Sequence, residues 1–226
     1  MIYVISDLHG CYDKYIGMIN KIMLKEEDTL YVLGDILDRG PNGLKIALDI
    51  AKRKNVVLIR GNHDQQAAIL LTNLYLLQDD EMADKYGPIF AEWLSDGGDS
   101  TMREFLELNE REQESAVNVI RTSLVSKEIE INGINYLLAH TVPEVEKVES
   151  YENWTLDDYI MGEPDYEEVY FCDRVIITGH TPTGLIDKNS KGKIWKKNNH
   201  IAIDCGVVFG FGLGCLCLDT MEEVYV

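Results

Sequence analysis

The chain has 226 residues, 46% of them hydrophobic and 27% charged, enough apolar mass for one packed α/β domain and too much for a disordered chain. Its 21 Lys and Arg stand against 39 Asp and Glu, a formal charge of −18, which argues against nucleic acid or an anionic membrane as partner, since either would repel it. The longest apolar stretches, 69–77 and 207–218, are too short or too interrupted by glycine to cross a bilayer. No basic leader opens the chain, and five cysteines without a paired framework fit a reduced, cytoplasmic compartment.

Residues 2–6 read as a buried strand, and 12–24 as a helix with Tyr15, Ile16, Ile19 and Ile22 on one face. A second strand covers 29–33. The next helix, 42–54, starts after Gly40-Pro41, where a missing N–H costs nothing. A third strand at 55–60 leads into a helix over 64–77 whose apolar part is core. This β-α-β-α-β order predicts parallel strands with right-handed crossovers. Residues 86–125 read as helical in three pieces, broken at Gly97-Gly98, with Asp99 or Ser100 capping the next helix.

Strands at 127–131 and 134–139 flank Asn132-Gly133, the pair that a two-residue type I′ hairpin prefers. The stretch 141–173 carries eleven acidic residues and one lysine. Beyond a short helix at 156–161 it has little periodicity and reads as a solvated loop over the site. Strands at 174–178, 193–196, 200–203, 213–218 and 223–226 complete the pass. The lysines at 188, 191, 193, 196 and 197 read as a charged hairpin tip around 189–192. One domain is expected over 1–226, with a helical insertion at about 86–125 and an acidic region at about 141–173.

The polar residues fall just past the strands. Asp7-Leu8-His9-Gly10 follows the first, Gly34-Asp35-Ile36-Leu37-Asp38-Arg39-Gly40 the second, and Arg60-Gly61-Asn62-His63-Asp64 the third. His140 and His180 end two later strands, so four of the five histidines sit at strand ends. Ligands of α/β sheets bind outside the carboxyl ends of strands, and these segments are expected to converge there. Asp, His and Asn suit Mn²⁺, Fe or Zn²⁺. A paired-ion site needs a shared carboxylate, for which Asp35 is the central candidate, and such a site performs in-line phosphoryl displacement.

The three runs, in this order, resemble the phosphoprotein phosphatase branch of the calcineurin-like metallophosphoesterases, closest to the compact bacterial and phage lambda-type serine/threonine protein phosphatases. The resemblance continues through 97–101, 179–182 and 203–206. It implies two mixed β-sheets packed as a sandwich and flanked by helices. It also implies two divalent ions, Mn²⁺ first, with Fe or Zn²⁺ accepted: Asp7, His9 and Asp35 on one, and Asp35, Asn62, His140 and His180 on the other.

A bridging hydroxide would attack phosphorus, His63 would protonate the leaving oxygen with Asp38 orienting it, and Arg39 and Arg60 would grip phosphoryl oxygens. The family commonly offers another arginine between the last two metal histidines. Here that stretch is acidic, and Arg174, at a strand start, is given no such role. The leading expectation is hydrolysis of phosphoserine or phosphothreonine in proteins. The alternative is a symmetrical bis(5'-nucleosyl)-tetraphosphatase acting on diadenosine tetraphosphate, and a third reading is a catalytically silent binding protein on the same fold.

Overall fold

The computed structural model describes residues 1–74, 77 and 79–226. Apolar side chains at successive strand positions, rather than at every second one, require cover on both faces, and the chain supplies it in four layers. β1 (Ile2–Ile5) pairs in parallel with β2 (Thr29–Leu33), which pairs in parallel with β3 (Val56–Ile59). The intervening helices are α1 (Tyr12–Lys21) and α2 (Gly43–Ile50), and α3 (Asn62–Thr72) follows β3. Positions 75 and 76 of the helix expected over 64–77 lie outside the described residues.

α4 (Asp80–Trp93) runs through a π turn, Leu94–Gly98, into α5 (Asp99–Glu107), and α6 (Glu110–Arg121) follows. The helix breaks at Gly97 (φ +102°), as expected, but Gly98 stands at the cap position of α5, so neither Asp99 nor Ser100 caps it. Gly98 keeps helical dihedrals, and the Ser100 hydroxyl turns back to donate to the Gly97 carbonyl.

The second sheet begins with β4 (Ser126–Ile131) and β5 (Ile134–Ala139), joined by Asn132-Gly133 at φ +53° and +79° as the hairpin chemistry requires. After α7 (Leu156–Ile160) come β6 (Arg174–Thr178), α8 (Thr183–Ile186), β7 (Trp195–Lys197) and β8 (His200–Ala202). β9 (Gly214–Cys217) and β10 (Glu223–Tyr225) return to the first sheet. The orders are β10-β9-β1-β2-β3 and β4-β5-β6-β8-β7, both mixed.

Strand alternation sorts the core. Tyr3, Ile5, Leu30 and Val32 face the helices, while Val4, Tyr31 and Leu33 face the second sheet. There they meet Tyr136, Leu138 and Ile177, whose neighbours Leu137, Ala139 and Ile176 point to the outer face.

That outer face corrects the expectation for 141–173, which is not a solvated loop. Its apolar residues (Val142, Tyr151, Trp154, Tyr159, Tyr170, Phe171) cover the second sheet, with aromatic rings edge-on at 4.9–5.5 Å. Arg174 completes this layer, stacked on Tyr151 and Phe171 and paired with Glu128 and Asp173. The tight β7–β8 turn is Asn198-Asn199, at φ +54° and +55°. The lysines at 188 and 191 are therefore not at a hairpin tip.

Candidate metal centre

The loops after β1 and β2 prolong the pairing of those strands. The Asp7 N–H donates to the Gly34 carbonyl (3.1 Å), His9 N–H to Asp35 (2.8 Å) and Gly10 N–H to Ile36 (2.9 Å). Asp64, fully buried, clamps the second loop to the third. Its Oδ1 accepts from Ile36 and Leu37 N–H (2.9 and 3.2 Å) and its Oδ2 from Gly61 N–H (3.2 Å). Burial, with Asp35 close by, lifts the Asp64 carboxyl to about 6.

The path is bent hard to aim its side chains. Asp7, His9, Asp35, Asp38, Arg39 and His180 all sit at φ between +38° and +68°, a region that residues with a Cβ avoid and that collects at functional sites. The glycines are there for close approach. A Cβ on Gly61 would lie 2.1 Å from Asp35 Oδ1, and one on Gly179 would lie 2.1 Å from Asp7 Oδ2.

Two groups of donor atoms result, each within 4.8 Å of one another and sharing Asp35: His9, Asp35 and His63, and Asp35, His140 and His180. His9 Nδ1 donates to the Leu37 carbonyl (2.8 Å) and His140 Nδ1 to that of Leu33 (2.7 Å). These bonds turn the Nε2 atoms of both rings inward. His140 Nε2, His180 Nδ1 and Asn62 Oδ1 converge at 3.0–3.2 Å, and Asp35 Oδ2 is 3.5 Å from His140 Nε2 and 3.7 Å from His9 Nε2. Asp7 falls outside both groups. A buried carboxylate takes the nearest donors, and Asp7 accepts from the His180 N–H (3.0 and 3.2 Å) and the Ser6 hydroxyl.

Electrostatics fits this pocket to cations. Burial, then Asp204 and Asp35, push the Asp7 carboxyl well above its usual range. Burial pushes Asp35 the same way, but the rings of His140, His63 and His9 outweigh it and hold Asp35 ionised. His140 correspondingly takes up a proton against its own burial, drawn by Asp35 and Asp7. His9 and His180 are pushed down to about 4, chiefly by burial, so both are neutral ligands near pH 7. Crowded carboxylates relieved only by protonating an imidazole are what divalent cations would relieve instead. One positive group already stands in: Arg39 Nη1 donates to His9 Nε2 at 2.8 Å.

Within the first group, His63 donates from Nδ1 to Asp38 Oδ2 (2.9 Å), leaving Nε2 toward the crevice and the ring edge-on to His9 at 5.0 Å. Asp38 has no exposed surface. Its Oδ2 also accepts from Trp93 Nε1 (2.9 Å), its Oδ1 accepts from the Thr101 hydroxyl (2.6 Å), and its own N–H donates to that hydroxyl (2.9 Å). Burial opposes a charge on His63, but Asp38 and Asp35 prevail and raise it.

Sequence reasoning did not single out Trp93 or Asp96. Thr101 was legible only as part of the 97–101 run. Asp96 lies in the π turn, 3.8 Å from both His63 Nε2 and Arg39 Nη2. Its only advance signal was its place beside Gly97-Gly98.

Arg60 is not brought to the centre. Its guanidinium donates to Ser123 Oγ (3.0 Å), Gln65 Oε1 (2.8 Å) and the Arg121 carbonyl (2.8 Å), tying β3 to the carboxyl end of α6. Of the two arginines expected there, Arg39 alone faces the donor groups.

Among the described residues no helix is long and apolar enough to cross a membrane. A protein of Anoxybacillus flavithermus named bis(5'-nucleosyl)-tetraphosphatase, asymmetrical, is 28% identical over 245 aligned positions, spanning 100% of this chain and 94% of that protein. A protein of Wigglesworthia glossinidia brevipalpis named as the symmetrical enzyme is 30% identical over 81 residues, 35% of this chain and only 30% of its own length. Among solved structures, a candidate diadenosine tetraphosphatase superposes with a TM-score of 0.67 at 15% identity, covering 100% of this chain and 92% of that one. A serine/threonine phosphatase of Saccharomyces cerevisiae superposes at 0.60 and 14%, covering 100% and 78%. At these identities the two structures speak to the fold alone. The calcineurin-like phosphoesterase model matches residues 1–206, through every loop that meets at the crevice, and the chain belongs to that family of metallophosphoesterases.

Proposed function

We propose that this protein is a cytoplasmic, single-domain hydrolase of dinucleoside polyphosphates, working at a two-metal centre within the phosphoprotein phosphatase branch of its family. The observation that carries the hydrolytic reading is the His63–Asp38 pair, at two donor groups that share Asp35. Asp7, His9 and Asp35 would hold one ion, and Asp35, Asn62, His140 and His180 the other, with Mn²⁺ the ion of first choice. When bound, divalent ions lower the pKa of water and neutralise phosphoryl charge. Arg39 leaves His9 Nε2 and donates to phosphoryl oxygens. His63 gives the Nε2 proton to the departing oxygen, and Asp38, fixed by Trp93 and Thr101, keeps the ring turned for that transfer.

The substrate class rests on the likeness to the Anoxybacillus protein along nearly its whole length. Hydrolysis of phosphoserine or phosphothreonine is the second reading, favoured by the motif resemblance and by the acidic surface, which attracts a cationic peptide.

The test is competition between diadenosine tetraphosphate and a phosphothreonine peptide at equal concentration with Mn²⁺. Dominant nucleotide release supports the proposal, with ADP alone marking symmetrical cleavage and AMP plus ATP asymmetrical cleavage. Dominant phosphate release from the peptide replaces it with the second reading. No turnover with two ions bound per chain overturns both.

A further inference from the structure

We propose that the apolar cavity between residues 182–192 and the 205–211 loop is a nucleobase site, seating one base of the polyphosphate substrate while the phosphates reach the metal centre. This deepens the reading above and rests on it.

The cavity measures about 590 Å³ and is walled by Leu185, Phe209 and Phe211, with Lys188 and Lys191 also lining it. Leu185 is 79% exposed, Phe209 57% and Phe211 36%. Three large apolar side chains gathered around one concavity are a recognition surface, where scattered ones would mean nothing.

The floor is backbone. Gly206 and Gly192 both sit at φ +76°, which favours glycine; a Cβ on Gly206 would press to 3.1 Å from Phe211 Cδ2, while one on Gly192 would lie at ordinary contact, 3.5 Å from Phe211 Cβ. Glycine at both places lets the ring lie down on the chain and leaves a flat π-face to stack on. A base offers a matching face whatever its identity.

The lysines decide between occupants. In a chain of net charge −18, Lys196 and Lys197 are taken up by Glu223 and Glu167. Lys188 and Lys191 have no carboxylate partner among the described residues, and Lys191 Nζ stands 4.6 Å from the Phe211 ring centroid. One cation beside an aromatic face, with a second lining the same cavity, suits a base that continues into phosphate. An apolar peptide side chain would use the rings and leave both charges idle.

The walls also start at the centre. Pro182 lies two residues past His180, and the 205–211 loop follows Asp204, whose charge acts on Asp7 and whose Oδ1 holds the Gly206 N–H at 2.8 Å. The Thr183 N–H donates to the Asp204 carbonyl (2.9 Å), joining the two walls at their root.

The experiment uses the Mn²⁺-loaded protein hydrolysing p-nitrophenyl phosphate, with ADP and inorganic pyrophosphate as competing inhibitors. Wild type should bind ADP about tenfold more tightly than pyrophosphate, the scale of one stacking contact. Phe211→Ala and the double variant with Phe209→Ala should abolish that preference. Turnover of the aryl phosphate and inhibition by pyrophosphate should stay within twofold, and Phe211→Trp should retain the preference. Equal inhibition by ADP and pyrophosphate in wild type overturns the site, as does a preference that survives the double variant. If the aryl phosphate is not hydrolysed with two ions bound, the catalytic reading falls. The base site is then judged by calorimetric titration of ADP against pyrophosphate on the same proteins, with the same two outcomes.

Discussion

On the side of the crevice built from β1, β2 and β3, every chemical group is held by a buried polar partner. His9 has the Leu37 carbonyl, Asp35 the His63 N–H, and Asp38 has Trp93, Thr101 and His63. Past β6 and β8, the chain instead lays a phenylalanine over glycines and leaves Lys188 and Lys191 without a carboxylate partner among the described residues. The first side is over-determined, as a constellation must be when a misplacement of about 1 Å costs about 10²-fold in rate. The second can vary without disturbing the first, which is how one fold accommodates different substrates. Substitutions on the first side should cost rate, and those on the second should cost affinity.

The largest effect is expected at Asp35, the one carboxylate both donor groups share. Asp35→Asn should strip both ions, and activity should fall by more than the roughly 10–100-fold that losing an outer partner of a ligand costs. Elemental analysis reads this directly, and a variant that keeps two ions per chain refutes the shared role.

His63→Asn comes next. It should slow alkyl phosphate hydrolysis by about 10²-fold or more and phosphoanhydride hydrolysis by less, because a nucleotide leaving group needs less protonation. Metal content should not change. Equal losses on both substrates would assign His63 to binding rather than to proton transfer.

Arg60 separates the two kinds of residue within the same loop. Arg60→Gln removes the donors that tie the end of β3 to Gln65 of α3 and to the end of α6, at a cost of about 1.5 kcal/mol or more for hydrogen bonds from a charged group. Because the guanidinium faces away from the donor groups, kcat/KM should stay within about twofold. Arg39→Ala should do the reverse, losing rate with little change in denaturation midpoint. A large kinetic defect in the Arg60 variant would mean that its side chain swings into the crevice during turnover.

Arg60 also marks where sequence reading ran out. Apart from Gln65, its partners lie some sixty residues onward, at the end of α6, and no local pattern announces them. What is local was legible: buried strands with apolar residues on both faces, the Asn132-Gly133 hairpin, the helix break at Gly97-Gly98, and polar clusters just beyond strand ends. What depends on distant packing was not. The aromatic residues of 141–173 follow no period because the surface they cover is a sheet and not their own helix. Trp93 looked like an ordinary helix residue, yet its indole N–H completes the shell of Asp38. The lysines at 188 and 191 read as a hairpin tip because nothing near them in sequence announced the cavity they line.

The smallest effect concerns stability and lies away from the centre. His200 is the histidine that no strand-end motif claims. It is 1% exposed, with the Tyr166 ring 4.9 Å away and Thr178 Oγ1 2.8 Å from Nε2. Its Nδ1 has no partner among the described residues, and burial pushes its pKa down to about 3. The folded imidazole therefore stays neutral where the unfolded one, near 6.5, takes a proton. Stability from this group is fully present above about pH 6.5 and declines as pH falls toward 3, by about 1.4 kcal/mol per pH unit. A His200→Gln variant cannot take up that proton on unfolding. Its stability relative to wild type should improve steadily between pH 6 and 4 in urea titrations, whatever offset the substitution brings at pH 8. A difference that stays constant across that window would mean that the folded ring accepts its proton as readily as the unfolded one, and that the Tyr166 layer opens to water.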